Sequence, residues 1–274
     1  MLEQELESKK YNVFVNIAKV FKYDFIAAIR VFLPICGILI IMGLVNGILV
    51  GRYDTEPGTT GSFMTGLCIF LYFMIWIITS IVTHIGIYLR FRNSMVSSEA
   101  YLNMTLPVTM FEHISGRALS GLALCIIFTL SGIASVGLFA IRGYSYIAAN
   151  WGYIADKFNN VMYELNMNAF QFWLEISIVV ITSYLFYISV WFIINAIGHL
   201  VSKGRTLVKV ILFFFLSGVP QNVLQIFSFR LLNADQPLLL VPSFIVAIIL
   251  AELIFAGIYF TITGLILRYR LSVE

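Results

Sequence analysis

Charged residues are scarce in this sequence. Only 11% of its 274 residues are Asp, Glu, Lys or Arg, whereas 60% are hydrophobic and the mean hydropathy is +0.94. A water-soluble domain of this length needs more charge, because it must cover its surface with solvated groups. The net charge of +3 is also too small to indicate nucleic-acid binding. The composition therefore excludes a soluble domain and predicts a chain that lies in a lipid bilayer.

Cysteine pairs and the usual signatures of membrane-bound enzymes are also lacking. Cys36, Cys68 and Cys125 lie inside apolar runs and have neither metal-like nor disulfide-like spacing. No H-E-x-x-H, G-x-S-x-G or G-x-x-x-x-G-K-[ST] motif occurs, and "GHLVSKGR" has the wrong order for the last. His84 and His199 have no partners at metal-ligand spacing. We therefore expect no catalytic residue and no metal site, so any ATP hydrolysis must take place in another chain.

Six segments are long and apolar enough to cross the bilayer. A helix needs roughly 20 apolar residues to span about 30 Å of hydrocarbon, and each segment contains such a run, interrupted by fixed charge only at Glu252. The lack of period-two alternation excludes a barrel, so the spans must be helices. We predict an all-α membrane protein in which residues 1–274 form one transmembrane domain. The predicted spans are 31–50, 61–90, 116–141, 170–200, 206–229 and 238–267.

Basic residues are distributed unevenly between the two sides of these spans. Thirteen lie in one set of flanking segments, whereas the opposite set holds only Arg52, Arg142, Lys157 and Arg230. Because Lys and Arg are retained on the cytoplasmic side, we expect both termini in the cytoplasm and the protein in the cell membrane.

The segment before the first predicted span is amphipathic. Residues 11–29 are too polar to cross the membrane, but apolar side chains recur at helical spacing and lysines fall on another face. This pattern predicts a helix in the cytoplasmic interface, which serves either as a plain anchor or as a docking element. Its apolar and basic positions include Phe14, Ile17, Lys19, Phe21, Lys22 and Phe25.

The longest outer segment, 142–168, is rich in aromatic residues. Its apolar positions, among them Trp151, Ile154 and Phe158, repeat at helical intervals. We predict a helix that rests on the outer interface, where aromatic belts anchor membrane proteins. The alternative is a lid or a contact surface for an amphiphilic substrate.

Polar groups inside the predicted spans are candidates for a pathway or a gate. Glu252 lies deep in the last span and Glu175 near the outer start of another, where a charge costs about 2.5–3.5 kcal/mol on insertion scales. Glu252 is either a proton or cation site, a gate, or a hydrogen-bonding residue between helices, whereas an interfacial structural role suits Glu175 better. Pro220, Gln221 and Asn222 predict that the fifth span breaks and continues as a re-entrant piece, with a simple proline kink as the alternative.

The predicted cytoplasmic segment 95–113, "MVSSEAYLNMTLPVTMFEH", is more organised than a connecting loop requires. A serine cap followed by Glu99 starts a short helix, which must end before Pro107. Thr109 and Glu112 then have the spacing of a capping box that opens the third span. The short helix carries apolar surface that must lie on the bilayer or be buried in a partner protein. This surface consists of Tyr101, Leu102, Met104, Thr105 and Leu106.

The longer phrase "SSEAYLNMTLPVTMFEHISGRAL" resembles the cytoplasmic segment of ABC-2-type ATP-binding-cassette exporter permeases, in which a serine and a glutamate precede "YLxxTLPV". The layout is also similar, with an amphipathic N-terminal helix, six spans and both termini inside. The resemblance implies that 95–113 is a coupling helix seated in a groove of a separate ATPase subunit. The contact positions it implies are Glu99, Tyr101, Leu102, Thr105, Leu106, Pro107, Glu112 and Arg117.

The resemblance further implies a permease subunit that works with a second permease, identical or a sibling. ATP and Mg²⁺ would bind in the ATPase subunit, and an amphiphilic or peptide-like substrate would suit the aromatic outer segment. Two other classes stay open at this point. A secondary transporter or channel that uses Glu252 predicts activity without an ATPase partner, and a non-transporting immunity or scaffold protein predicts that the polar residues of the spans can be changed without loss.

Overall fold

Long helices account for nearly all of the chain that the computed structural model describes, which comprises residues 13–53, 59–96, 108–140, 148–201, 204–232 and 241–270. Within these ranges there are seven helices and no strand, so the predicted all-α class is confirmed for them. The helices are α1 (Val13–Tyr53), α2 (Thr59–Met95), α3 (Met110–Phe139), α4 (Trp151–Glu164), α5 (Ala169–Leu200), α6 (Arg205–Leu232) and α7 (Val241–Arg270).

Five of these helices, α1, α2, α3, α5 and α7, are long and apolar enough to cross a membrane. The faces of these helices that point away from the bundle expose large apolar side chains, such as Phe70, Ile133 and Leu250, each more than half exposed. A surface of this kind requires lipid or a partner, because water disfavours large apolar patches. The multi-pass membrane character is therefore confirmed. α6 is not among the five, so a sixth crossing stays a prediction.

The first helix joins two elements that the sequence separates. The predicted interfacial helix 11–29 and the predicted span 31–50 form one 41-residue helix, α1, which continues through Pro34 and is about 60 Å long at 1.5 Å per residue. The amphipathic pattern is present in its first part. Ile17, Phe21 and Phe25 are half-buried, whereas Phe14, Lys19 and Lys22 are exposed.

α1 and α3 pack against each other over most of their length, and small residues allow the close approach. A Cβ added at Gly43 would collide with the carbonyl and hydroxyl oxygens of Ser135. A Cβ at Gly47 would lie 2.7 Å from the carbonyl oxygens of Leu138 and Phe139. Small residues commonly bring membrane helices together in this way, because they permit backbone contact.

Ser135 links three helices at this contact. Its Oγ donates to the carbonyl oxygen of Leu39 in α1 at 2.7 Å, and the Tyr72 hydroxyl of α2 lies 3.0 Å away. The Tyr72 ring also stacks on Phe139 with a centroid separation of 4.8 Å. This buried, fully bonded hydroxyl fixes α1, α2 and α3 relative to one another, since a lost partner would leave a polar group unpaired in the core.

α5 joins that group of three helices to α6 and α7. On one side Phe192 stacks on Phe91 of α2, with ring centroids 3.7 Å apart. On another side Val190 and Ile194 are fully buried in a cluster that includes Tyr259 of α7. α5 therefore packs against both halves of the bundle.

α4 confirms a helix within the predicted outer segment 142–168. Met162 on one face packs with Leu165 and Met167, which follow the helix. Tyr153 and Tyr163 are exposed on other sides of the helix, the latter at 87%. The predicted roles of this helix, an interfacial anchor or a lid, stay predictions.

We expect Gly43→Ala to lower the thermal stability of the detergent-solubilised protein, because the new methyl group must push α3 away from α1. Overpacking of this kind costs about 1–3 kcal/mol. The matched control is Gly37→Ala in the same helix, where a Cβ meets nothing within 4 Å. Thermal unfolding of both variants tests this. An equal Tm for the two variants would contradict the close-contact account.

Candidate functional site

The candidate coupling segment lies only partly within the described residues. Glu99, Tyr101, Leu102, Thr105, Leu106 and Pro107 lie outside them, and Glu112 and Arg117 lie inside. The structure therefore defines the two flanks of the segment, which are the end of α2 and the start of α3. The geometry of these flanks shows what the segment is attached to.

The capping box predicted at the start of α3 is confirmed. The backbone N–H of Thr109 donates to Glu112 Oε2 at 2.7 Å, and the backbone N–H of Glu112 donates to Thr109 Oγ1 at 3.4 Å. Such reciprocal bonds satisfy amide groups that the first turn of a helix leaves free. The point at which the chain enters α3 is thus fixed by local sequence.

The start of α3 is also fastened to α1. Asn16 Nδ2 of α1 donates to Glu112 Oε1 at 3.4 Å. One turn along, Gly116 brings the backbones together, because a Cβ there would lie 2.7 Å from the side chain of Val20. Glu112 and Arg117 are buried, with 2% and 8% exposed. Glu112 therefore positions α3 within this chain, and the predicted contact of Glu112 and Arg117 with a partner stays a prediction.

The end of α2 is fastened to the same part of α1. The Arg90 guanidinium donates to Asp24 twice, to Oδ1 at 2.9 Å and to the carbonyl oxygen at 2.8 Å. Asp24 and Arg90 are 17% and 29% exposed, so the ion pair is partly shielded from solvent. Asn16 and Asp24 are eight residues apart, about 12 Å along α1. The N-terminal part of α1 thus holds both flanks of the 97–107 segment. We call the two contacts, Asn16–Glu112 and Asp24–Arg90, the brace.

Sequence reasoning missed this brace. The sequence gives only a weak indication that Asp24 forms an ion pair, because a single carboxylate on an amphipathic helix is usually solvated. Its partner Arg90 is 66 residues away, and no local pattern joins the two. Arg90 served in the sequence analysis only as one of thirteen basic residues that set the orientation.

Glu252 bonds to a neighbouring helix. Its carboxyl oxygens accept from Ser183 Oγ at 2.8 and 2.9 Å and from Thr182 Oγ1 at 3.0 Å, so α7 is tied to α5. This contact is the interhelical hydrogen bond that the structural alternative predicts. The pathway or gate alternative stays a prediction.

Glu175 does not lie beside Glu252. Its Oε1 accepts from Gln171 Nε2 at 2.8 Å, within α5 itself. Glu175 precedes Thr182 by seven residues, about 10 Å along the helix. The two carboxyl groups therefore occupy separate levels of α5, and Glu175 bonds within its own first turns.

The predicted break at Pro220 is wrong, because α6 continues through this residue to Leu232. Proline lacks the N–H that would donate to the carbonyl oxygen four residues earlier, which here belongs to Leu216. The Tyr259 hydroxyl of α7 donates to that oxygen at 3.1 Å. A side chain from another helix thus satisfies the group that Pro220 leaves unbonded. Gln221 and Asn222 are exposed on α6.

A cavity of about 730 Å³ lies where the C-terminal ends of α2 and α5 meet the N-terminal end of α6. Its lining includes Arg92, His199, Arg205 and Lys209. The sequence did not predict this cavity, because no local pattern joins the three basic residues and His199 has no partners at metal-ligand spacing. No group of three or more His, Cys, Asp or Glu residues suited to a metal ion occurs in the described part of the chain.

We expect Tyr259→Phe to destabilise the protein, because the Leu216 carbonyl then has no donor. A buried polar group left without a partner costs about 1–3 kcal/mol. In a Pro220→Ala background the new N–H at position 220 can donate to Leu216, so the same change should cost much less. Thermal unfolding of the four proteins of this double-mutant cycle measures the coupling. Additive effects of the two changes would contradict the compensation.

We also expect Ser183→Ala to lower the Tm, because Glu252 loses one of its two hydroxyl donors and the α5–α7 contact weakens. Hydrogen bonds between membrane helices average about 0.6 kcal/mol, so the loss should be small but measurable. The matched control is Ser177→Ala on the same helix, whose exposed hydroxyl donates only to the Trp173 carbonyl within α5. Equal losses from both changes would show that the contact contributes nothing specific.

Similarity to known proteins gives no further identification. No protein-family model, no curated protein and no solved structure matches this chain.

Proposed function

We propose that this chain is the permease subunit of an ATP-driven exporter of the ABC-2 type. It has six spans in the cell membrane and both termini in the cytoplasm. A second permease completes the transport pathway, and a separate ATPase subunit binds ATP and Mg²⁺. The substrate is amphiphilic or peptide-like and leaves the cytoplasm. The 95–113 segment is the coupling helix that contacts the ATPase.

The observation that carries this proposal is the brace at the ends of α2 and α3. Asp24 and Asn16 of α1 bond to Arg90 and Glu112, which flank the 97–107 segment on either side. An ordinary loop between two spans needs no such attachment to a third helix. A segment that receives force from a partner does need it, because the force must move whole helices rather than deform the loop.

The arrangement of basic residues supports six spans. α6 has 28 residues, about 42 Å at 1.5 Å per residue, which exceeds the hydrocarbon thickness of about 30 Å. If α6 crosses, the ends of α2, α5 and α7 that carry Arg92, His199 and Arg268 all face the same side. That side is the cytoplasm by the distribution of Lys and Arg.

The function predicts a complex that depends on the coupling segment. We expect Tyr101→Ala with Leu102→Ala to abolish co-purification of the chain with the proposed ATPase subunit, because the double change removes the apolar surface that would fill the groove. The matched control is Val161→Ala with Tyr163→Ala, two exposed residues of α4 on the predicted outer side. This control should leave the complex intact.

Survival of the complex after the Tyr101 and Leu102 changes would remove the main support for the coupling helix. Loss of the complex with both double variants would show that the effect is general destabilisation. Thermal unfolding of each variant alone separates these outcomes, because the coupling-segment changes should leave the Tm of the isolated permease nearly unchanged.

One observation favours a second candidate, a secondary transporter or channel. Glu252 lies in the last span, and its carboxyl group sits beside two hydroxyl groups, a set of oxygen atoms that suits a proton or a small cation. On this reading Glu252→Gln abolishes transport in liposomes that contain no ATPase. On the exporter reading those liposomes show no transport with either residue at position 252.

A further inference from the structure

The cavity between α2, α5 and α6 is strongly basic at its polar end. Arg92, Arg205 and Lys209 carry fixed positive charges there, and His199 adds a titratable group. No described residue of the lining is Asp or Glu. Positive charges gathered without carboxylates repel one another, and an anion among them relieves that repulsion. The charge of the cavity therefore suits an anionic ligand.

Lys209 is held in place at this end by neutral partners. Its Nζ donates to the Tyr88 hydroxyl at 3.2 Å and to Asn195 Oδ1 at 3.3 Å. Asn195 is fully buried, and its Nδ2 donates to the Trp191 carbonyl at 3.1 Å, which orients its oxygen toward the lysine. An ammonium group has three donors, so one remains for a ligand. Lys209 is thus fixed and charged, and no described carboxylate neutralises it.

A glycine makes room for this lysine. The aliphatic stem of Lys209 lies against Gly198 of α5, where an added Cβ would collide with it. The surroundings therefore place the charge at the cavity and keep the stem packed.

The same cavity continues as an apolar surface along α6. Val210, Phe213 and Phe214 belong to its lining, and Phe213 stacks on Trp191 with ring centroids 4.6 Å apart. Val210 and Phe214 are 51% and 71% exposed, so the cavity opens sideways between helices. The lining extends from Arg205 to Phe214, about 14 Å along the helix, which is close to half of a hydrocarbon core of about 30 Å.

We propose that this cavity binds an anionic phospholipid. Its phosphate lies among Arg92, Arg205 and Lys209, and one acyl chain follows the apolar face at Val210 and Phe214. A charged end and an apolar side open to the bilayer match the two parts of a lipid, and basic pockets between membrane helices are known to hold such headgroups. This inference depends on the membrane placement of the helices and is independent of any ATPase partner.

Quenching of Trp191 fluorescence tests the proposal. The full chain is placed in phosphatidylcholine nanodiscs that contain a small fraction of brominated phosphatidylglycerol or, separately, brominated phosphatidylcholine. The difference between the wild-type chain and Trp191→Phe isolates the signal of Trp191 from the other three tryptophans. We expect several-fold stronger quenching by the anionic lipid, because its brominated chain is held beside the indole ring.

Charge variants show whether the cavity is responsible. Arg92→Gln and Lys209→Gln should each reduce the ratio of quenching by brominated phosphatidylglycerol to quenching by brominated phosphatidylcholine to near one. Arg92 is exposed, so its replacement should leave the fold unchanged. The matched control is Arg268→Gln, which removes an exposed charge outside the cavity at the predicted cytoplasmic end of α7. It should keep the preference.

Three results would overturn the proposal. Equal quenching by the two brominated lipids would show that the cavity does not select an anion. An equal effect of Arg268→Gln and Arg92→Gln would assign the preference to the general basic surface. An undiminished preference for phosphatidylglycerol in both Arg92→Gln and Lys209→Gln would show that the lipid phosphate does not lie among these charges.

Discussion

The contact between α1 and α3 is the constraint on which the rest of the structure depends. The two backbones touch because Gly43 and Gly47 of α1 present no side chain, and Ser135 bonds across the contact. Once these helices are joined, the first residues of α1 lie against the start of α3. That placement brings Asn16 to Glu112 and Asp24 to Arg90 of α2. The brace on both flanks of the predicted coupling segment is therefore a consequence of close helix packing further along α1.

Polar contacts between helices help to hold the second half of the bundle. Glu252 of α7 bonds to two hydroxyl groups of α5, and Tyr259 bonds to the backbone of α6 beside Pro220. Each contact satisfies a polar group that lipid would leave unpaired. α6 is thereby fixed on one side by α7, while its basic end and its apolar face border the cavity shared with α2 and α5. We infer that a lipid there would contact helices from both halves.

Sequence reasoning succeeded where the physical cause is local. The capping box at Thr109 and the amphipathic pattern of residues 13–29 follow from residues within one or two turns, and the structure contains both. The predicted break at Pro220 was wrong, because the carbonyl oxygen that Pro220 leaves without a donor accepts from the hydroxyl of Tyr259, 39 residues later on another helix. It also missed the cavity, since Arg92, Arg205 and Lys209 converge only after three helices pack. The predicted coupling contact falls mainly on residues 97–107, which lie outside the described residues, and it stays a prediction.

Distance measurement by pulsed electron paramagnetic resonance tests the central claim most directly. Spin labels at the exposed positions Lys22 of α1 and Leu89 of α2 report on the brace in the proposed complex of two permeases with the ATPase. We predict that the Lys22–Leu89 distance stays the same when ATP is trapped, whereas the distance between the two Leu89 labels of the paired permeases changes. A change in the Lys22–Leu89 distance as large as that between the permeases would show that α1 does not move with the coupling segment, and would contradict the account.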